Sequence, residues 1–123
     1  MKIFILEDNE DRIIYFRQLF IDHDLFVATT AREAILALDG TTEFDLIFLD
    51  HDLGGEQMVD MKNTNTGSEV VRYLVTIADK VNSIIFLHTQ NPVAARAMRC
   101  TLKENDFRVF IKPFTSLYTE YPL

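Results

Sequence analysis

Residues 45–53 read DLIFLDHDL: four apolar residues, Leu46-Ile47-Phe48-Leu49, stop abruptly on Asp50-His51-Asp52. A continuous apolar run of strand length has no polar face to offer water, so both of its sides must be covered. The same pattern stands at residues 3–6, which run into Glu7-Asp8, and at residues 84–87, which run into His88. Two more strand-length runs lie at 25–28 and 108–111, the second running into Lys112. The strands expected are therefore 2–6, 25–28, 45–49, 83–87 and 108–111, with chemically active side chains at the ends of several.

Working outward, the segments between these runs carry helix signals. Asn9 stands as an N-cap before Ile13, Phe16 and Phe20 at helical spacing, and Thr30 with Glu33 forms a capping box before Ile35 and Leu38, with Gly40 as a stop. Gly67 or Ser68 opens a stretch with Val70, Val71, Leu74 and Ile77 on one face. Asn91-Pro92 is a cap with proline at the first helical position, ahead of Val93, Ala97 and Met98. Strict alternation of strand and helix predicts one α/β domain over 1–123, a doubly wound five-stranded parallel sheet with right-handed crossovers. In such a fold ligands bind beyond the carboxyl ends of the strands. Glu7, Asp8, Asp50, His51, Asp52, His88, Thr89, Asn91 and Lys112 all fall at that edge.

Composition narrows the chemistry. With 19 acidic and 12 basic residues in 123, the formal charge is −7, which argues against DNA binding or adhesion to anionic lipid by overall charge. The single Cys100 cannot pair within the chain, and within a helix it reads as an inert core or semi-core thiol. The opening apolar run is too short for a signal peptide or a membrane span, so a cytoplasmic protein is expected. No Walker A loop, G-x-S-x-G, H-E-x-x-H or paired C-x-x-C occurs.

Carboxylates at adjacent strand ends make a hard-oxygen site suited to Mg²⁺ or Mn²⁺. Glu7, Asp8 and Asp50 are the expected ligands, with Asp52 as a further candidate. Lys112 supplies a point charge for a phosphate oxygen, and His88 a group that titrates near neutrality and can act as acid, base or ligand. His51, Thr89 and Asn91 are possible substrate contacts, although Asn91 also reads as a helix cap. Arg96 and Arg99 read as exposed, and the polar stretch 54–66 as an insertion over the site, either a lid or a loose loop.

The acidic pair Glu7-Asp8, Asp50 after the third strand and Lys112-Pro113-Phe114-Thr115 after the fifth resemble a response-regulator receiver domain along the whole chain. The resemblance implies the flavodoxin-like strand order 2-1-3-4-5, Mg²⁺ held by the acidic residues, a phosphoryl group accepted on Asp50 and contacted by Lys112, and a cis Lys112–Pro113 bond. Departures are equally definite. His88 stands where receivers carry a small hydroxyl residue, Val109 where they carry the switching aromatic, the 50–67 stretch is longer, and the last helix is stunted. Leu49-Asp-His-Asp-Leu53 with His88-Thr-Gln-Asn-Pro92 is more similar to the divergent cyclic-phosphate-processing receiver-like group. That implies metal-dependent hydrolysis of a cyclic phosphate in a nucleotide or at an RNA end, with Asp50, His88 and Lys112 in the chemistry and Asp50 as ligand or nucleophile. The alternatives are a receiver phosphorylated on Asp50 that docks on a protein partner, and a degenerate receiver that only binds a partner or a nucleotide.

Overall fold

Apolar runs without a polar face become interior strands, and their register sets everything that follows. The computed structural model describes residues 1–41, 43–55 and 58–123. In chain order the elements are β1 (Lys2–Leu6), α1 (Glu10–Leu19), β2 (Asp24–Ala28), α2 (Ala31–Gly40), β3 (Leu46–Leu49), α3 (Gly67–Thr76), a short 3-10 turn (Ala78–Lys80), β4 (Ile84–Leu87), α4 (Pro92–Glu104), β5 (Arg108–Ile111) and α5 (Phe114–Glu120). All neighbouring strands are parallel, in the order β2-β1-β3-β4-β5. This is the flavodoxin-like order that the receiver resemblance implied.

Two apolar layers flank the sheet. Phe4, Ile47, Ile85 and Val109 point to the side covered by α2, α3 and α4, where Leu38, Leu74 and Met98 pack. Ile3, Ile5 and Phe48 point to the other side, against Tyr15 and Phe16 of α1 and Leu117 of α5. No helix among the described residues is long and apolar enough to cross a membrane.

The caps form largely where their residue types place them. Asn9 accepts from the Arg12 N–H at 3.1 Å, and Asn91 from the Ala94 N–H at 3.1 Å. Thr30 accepts from the Glu33 N–H, but the Glu33 carboxylate returns to the Thr29 N–H at 3.2 Å, one residue before the cap. The cap of α3 is Thr66, with Gly67 as its first helical residue. A side chain at 67 is excluded: its Cβ would stand 1.9 Å from the Asp50 carbonyl oxygen. The Gly67 N–H also donates to the His51 carbonyl at 3.0 Å, so α3 begins pressed against the end of β3.

Two expectations are corrected. Cys100 is exposed, because α4 buries Ala94, Ala95, Met98 and Leu102 and position 100 lies off that stripe. The Lys112–Pro113 bond is trans. The chain turns there with Pro113 at ψ 144°, and the Phe114 N–H is then placed to donate to the His88 carbonyl at 2.9 Å.

Candidate functional site

Register builds the site. Leu6 is level with Leu49, Leu49 with Leu87, and Leu87 with Ile111. The next residue on each strand, Glu7, Asp50, His88 and Lys112, therefore leaves the sheet at one height. What happens to each side chain depends on its packing.

Glu7 and His88 are fully buried and bonded to each other, Glu7 Oε1 to His88 Nε2 at 3.0 Å. The imidazole ring sits edge-on to Phe16, with centroids 5.2 Å apart, and its Nδ1 has no partner among the described residues. The other oxygen, Glu7 Oε2, accepts the N–H groups of Asp8 at 3.0 Å and Asn9 at 3.1 Å. Burial alone would raise the Glu7 carboxyl, but His88, the Asn9 N–H and the nearby Arg12 outweigh it and hold it below the ordinary carboxylate range.

Asp50 is nearly buried and accepts the His51 N–H on Oδ1 at 2.8 Å. Burial pushes its carboxyl up to about 7, and the Glu7 charge adds to the rise against the opposing pull of His88, the His51 N–H and Arg12. Glu7, Asp50 and His88 each offer one ligand atom, all within 4.8 Å of one another. A cavity of about 430 Å³ opens over them, walled by Glu7, Asp8, Arg12, Asp50, Asp52 and Gln90 among others.

Asp8 is half-buried, and its Oδ2 accepts the Gly55 N–H at 3.1 Å. Asp52 lines the cavity but is heavily bonded. Its Oδ1 meets His51 Nδ1 at 2.8 Å, Asn91 Nδ2 at 3.2 Å and the Val59 N–H at 3.1 Å, and its Oδ2 accepts the Met58 N–H at 2.9 Å. Burial would raise this carboxyl, but those four donors prevail and lower it. Asp52 thus fastens the insertion to the site. An antiparallel bridge between Asp52 and Thr66 closes the base of the insertion, Asn65 accepts the Ala31 N–H at 3.1 Å, and Val59 is buried. The described part of 54–66 is docked; residues 56 and 57 lie outside the described residues.

The remaining candidates turn elsewhere. His51 is fully buried behind Asp52, and Thr89 is buried with its hydroxyl accepting the Asn91 N–H at 3.0 Å. Asn91 caps α4. Lys112 is paired with the Glu120 carboxylate and lines a separate apolar cavity between α1 and α5. The cation at the acidic cavity is instead Arg12, 3.7 Å from Glu7 Oε1 and 3.9 Å from Asp50 Oδ2. Sequence reasoning passed over Arg12, although one signal was available. It is the third residue of α1, after Glu10 and Asp11, where the positive end of the helix disfavours a cation.

A divalent cation fits this donor set. Asp8 Oδ1 and Asp50 Oδ2 carry no hydrogen bond among the described residues, so two carboxylate oxygens at the cavity are uncommitted. Oxygen donors of this kind suit Mg²⁺ or Mn²⁺.

A five-stranded 2-1-3-4-5 parallel sheet with an acidic cluster at the carboxyl ends of β1 and β3 defines the receiver class of domain. Within that class the chain belongs to the family described as the cyclic-phosphate processing receiver domain, whose model matches residues 1–104. No curated protein sequence matches the chain. Among solved structures it is similar to the signal receiver domain of a LuxO repressor protein from Vibrio parahaemolyticus, with TM-score 0.64, 19% identity, and coverage of 97% of this chain and 85% of that one. It is also similar to the Francisella response regulator 1452 receiver domain, with TM-score 0.61, 16% identity, and coverage of 97% and 93%. A third is a Burkholderia pseudomallei response regulator with a phosphorylated aspartic acid, a calcium ion and citrate (TM-score 0.61, 17% identity, coverage 90% and 58%). At these identities the likeness is one of fold.

Proposed function

We propose that this chain hydrolyses a cyclic phosphate, in a nucleotide or at an RNA end, in a reaction that requires a divalent cation. The observation that carries this reading is the buried Glu7–His88 pair beside Asp50. An imidazole, His88, stands where the receiver resemblance calls for a small hydroxyl, and it is bonded to Glu7, the first residue of the acidic pair. Asp8 and Asp50 would hold the cation through their uncommitted oxygens, and when bound it supplies Lewis-acid polarisation of the phosphoryl group and a lowered pKa for the attacking water.

Ring opening then needs a proton on the ribose oxygen as its bond to phosphorus breaks, while the attacking water gives one up to solvent. No part of the His88 ring reaches the cavity, but Glu7 lines it. His88 Nε2 hands the proton to Glu7 Oε1, and Glu7 delivers it to the leaving oxygen. His88 regains its proton from cavity water through Glu7 once the product has left, which closes the cycle.

The test is hydrolysis of cyclic-phosphate nucleotides and RNA ends with Mg²⁺ or Mn²⁺, read by ³¹P NMR. Conversion of a cyclic diester to a monoester, dependent on metal and lost in Asp50→Asn, is the expected result. If no cyclic phosphate turns over, while acetyl phosphate leaves a long-lived adduct on Asp50, the chain is a signalling receiver instead.

A further inference from the structure

We infer that Arg12, not Lys112, is the residue that holds the non-bridging oxygens of a phosphate bound in the acidic cavity. This rests on the phosphate chemistry proposed above but adds a binding residue to it. Among the described residues, the other charged side chains walling the cavity are Glu7, Asp8, Asp50 and Asp52, all carboxylates. A phosphate cannot enter such a wall unless cations face it. A divalent ion held by Asp8 and Asp50 would supply one, and the protein must supply the rest.

Arg12 is placed to do so. Its guanidinium carbon lies 4.9 Å from the centroid of the Phe114 ring, so one face of the guanidinium is covered. Its nitrogen is 3.7 Å from Glu7 and 3.9 Å from Asp50, well beyond the roughly 2.7–2.9 Å of a charge-assisted hydrogen bond. Its side chain donates no hydrogen bond among the described residues, and it is only about a quarter exposed, at 27%. A guanidinium with unspent donors at the wall of a cavity has the geometry for bidentate recognition of a phosphate.

Lys112 lacks that freedom. Its ammonium is bound to Glu120, and its side chain borders the apolar cavity between α1 and α5. Phe114 explains the exchange. The residue that follows Lys112-Pro113 is anchored by its N–H to the His88 carbonyl, and its ring then supports Arg12 from across the strand end.

The test measures binding, not turnover. Inorganic phosphate is titrated into the Mg²⁺-loaded protein by isothermal calorimetry, for wild type, Arg12→Met, Arg12→Lys and Lys112→Met, and Mg²⁺ alone is titrated into each. Methionine keeps an apolar stem against Phe114, and melting curves confirm that each variant is folded. Arg12→Met should weaken phosphate binding tenfold or more, Arg12→Lys should recover part of the loss, and Lys112→Met should change it less than twofold. Arg12→Met should bind Mg²⁺ as tightly as wild type or up to several-fold tighter, because a charge that repels the ion is gone. Phosphate binding that survives Arg12→Met, that falls more with Lys112→Met, or that is absent from the wild type overturns the inference. An Arg12-dependent phosphate site in a protein that hydrolyses no cyclic phosphate would sink the proposed reaction and leave this assignment standing.

Discussion

At the residue scale, Asp50 sits in a conflict that a cation relieves. Its carboxyl holds a proton up to about 7, whereas the unfolded chain releases it near 3.8. Between those values the folded protein binds the extra proton, so metal-free stability falls as pH rises and levels off above 7. At roughly 1.4 kcal/mol per pH unit, the decline is on the order of 4 kcal/mol. Below 4.5 Glu7 works the other way: its lowered carboxyl contributes stability that is lost as it protonates. Asp50→Asn should therefore raise the melting temperature at pH 8 in chelator, flatten the slope between pH 4 and 7, and abolish stabilisation by Mg²⁺. Retention of the wild-type Mg²⁺ response in that variant would remove Asp50 from the metal site. His88 is tested by chemistry. His88→Gln keeps a hydrogen-bonding tip for Glu7 but cannot pass on a proton, so the rate should drop by about 10²–10⁴. A substrate whose leaving group needs no protonation should recover most of that loss. Equal losses on both substrates would make His88 a positioning group.

At the scale of elements, the start of α3 and the end of β3 are in backbone contact. Gly67→Ala would drive a methyl group into the Asp50 carbonyl, a backbone atom held by the sheet, where the separation would be 1.9 Å. Overpacking usually costs about 1–3 kcal/mol, and a clash with fixed backbone belongs at or above the top of that range. The expected outcome is a melting temperature lower by roughly 10 °C, with weaker Mg²⁺ binding because Asp50 is displaced. An unchanged Mg²⁺ affinity would show that α3 does not position the acid. The insertion after β3 illustrates how far local signals carry. Of its apolar residues, Val59 is buried but Met58 is exposed. That Asp52 does the fastening was hidden, because a carboxylate accepting two backbone N–H groups from residues six and seven positions onward has no sequence motif.

At the scale of the molecule, the path by which a receiver reports phosphorylation is interrupted. Val109 is buried in the layer shared by α2, α3 and α4 and has no polar tip to exchange between two positions. Thr89, the nearest hydroxyl beyond β4, already accepts the Asn91 N–H that opens α4. A beryllofluoride adduct on Asp50 should therefore shift backbone NMR signals around Glu7–Arg12, Asp50–Gly55 and His88, and leave most of α4 and β5 unmoved. Large shifts along α4 would restore the signalling reading.

By itself the sequence determined the alternation of strands and helices, the caps at Asn9, Thr30 and Asn91, and the collection of acidic residues at one edge. All of these are written in contiguous residues: an apolar run of period too short for a helix, a side chain that bonds an N–H three positions on, a charge that ends a strand. Tertiary structure decided which of those residues face one another. The Glu7–His88 pair joins positions 81 apart, and it forms only because β1, β3 and β4 are level. Whether Arg12 or Lys112 meets the carboxylates depends on where Phe114 and Glu120 lie after the final turn. Side-chain direction at the end of a strand is set by what packs around it, and nothing in the order of residues records that.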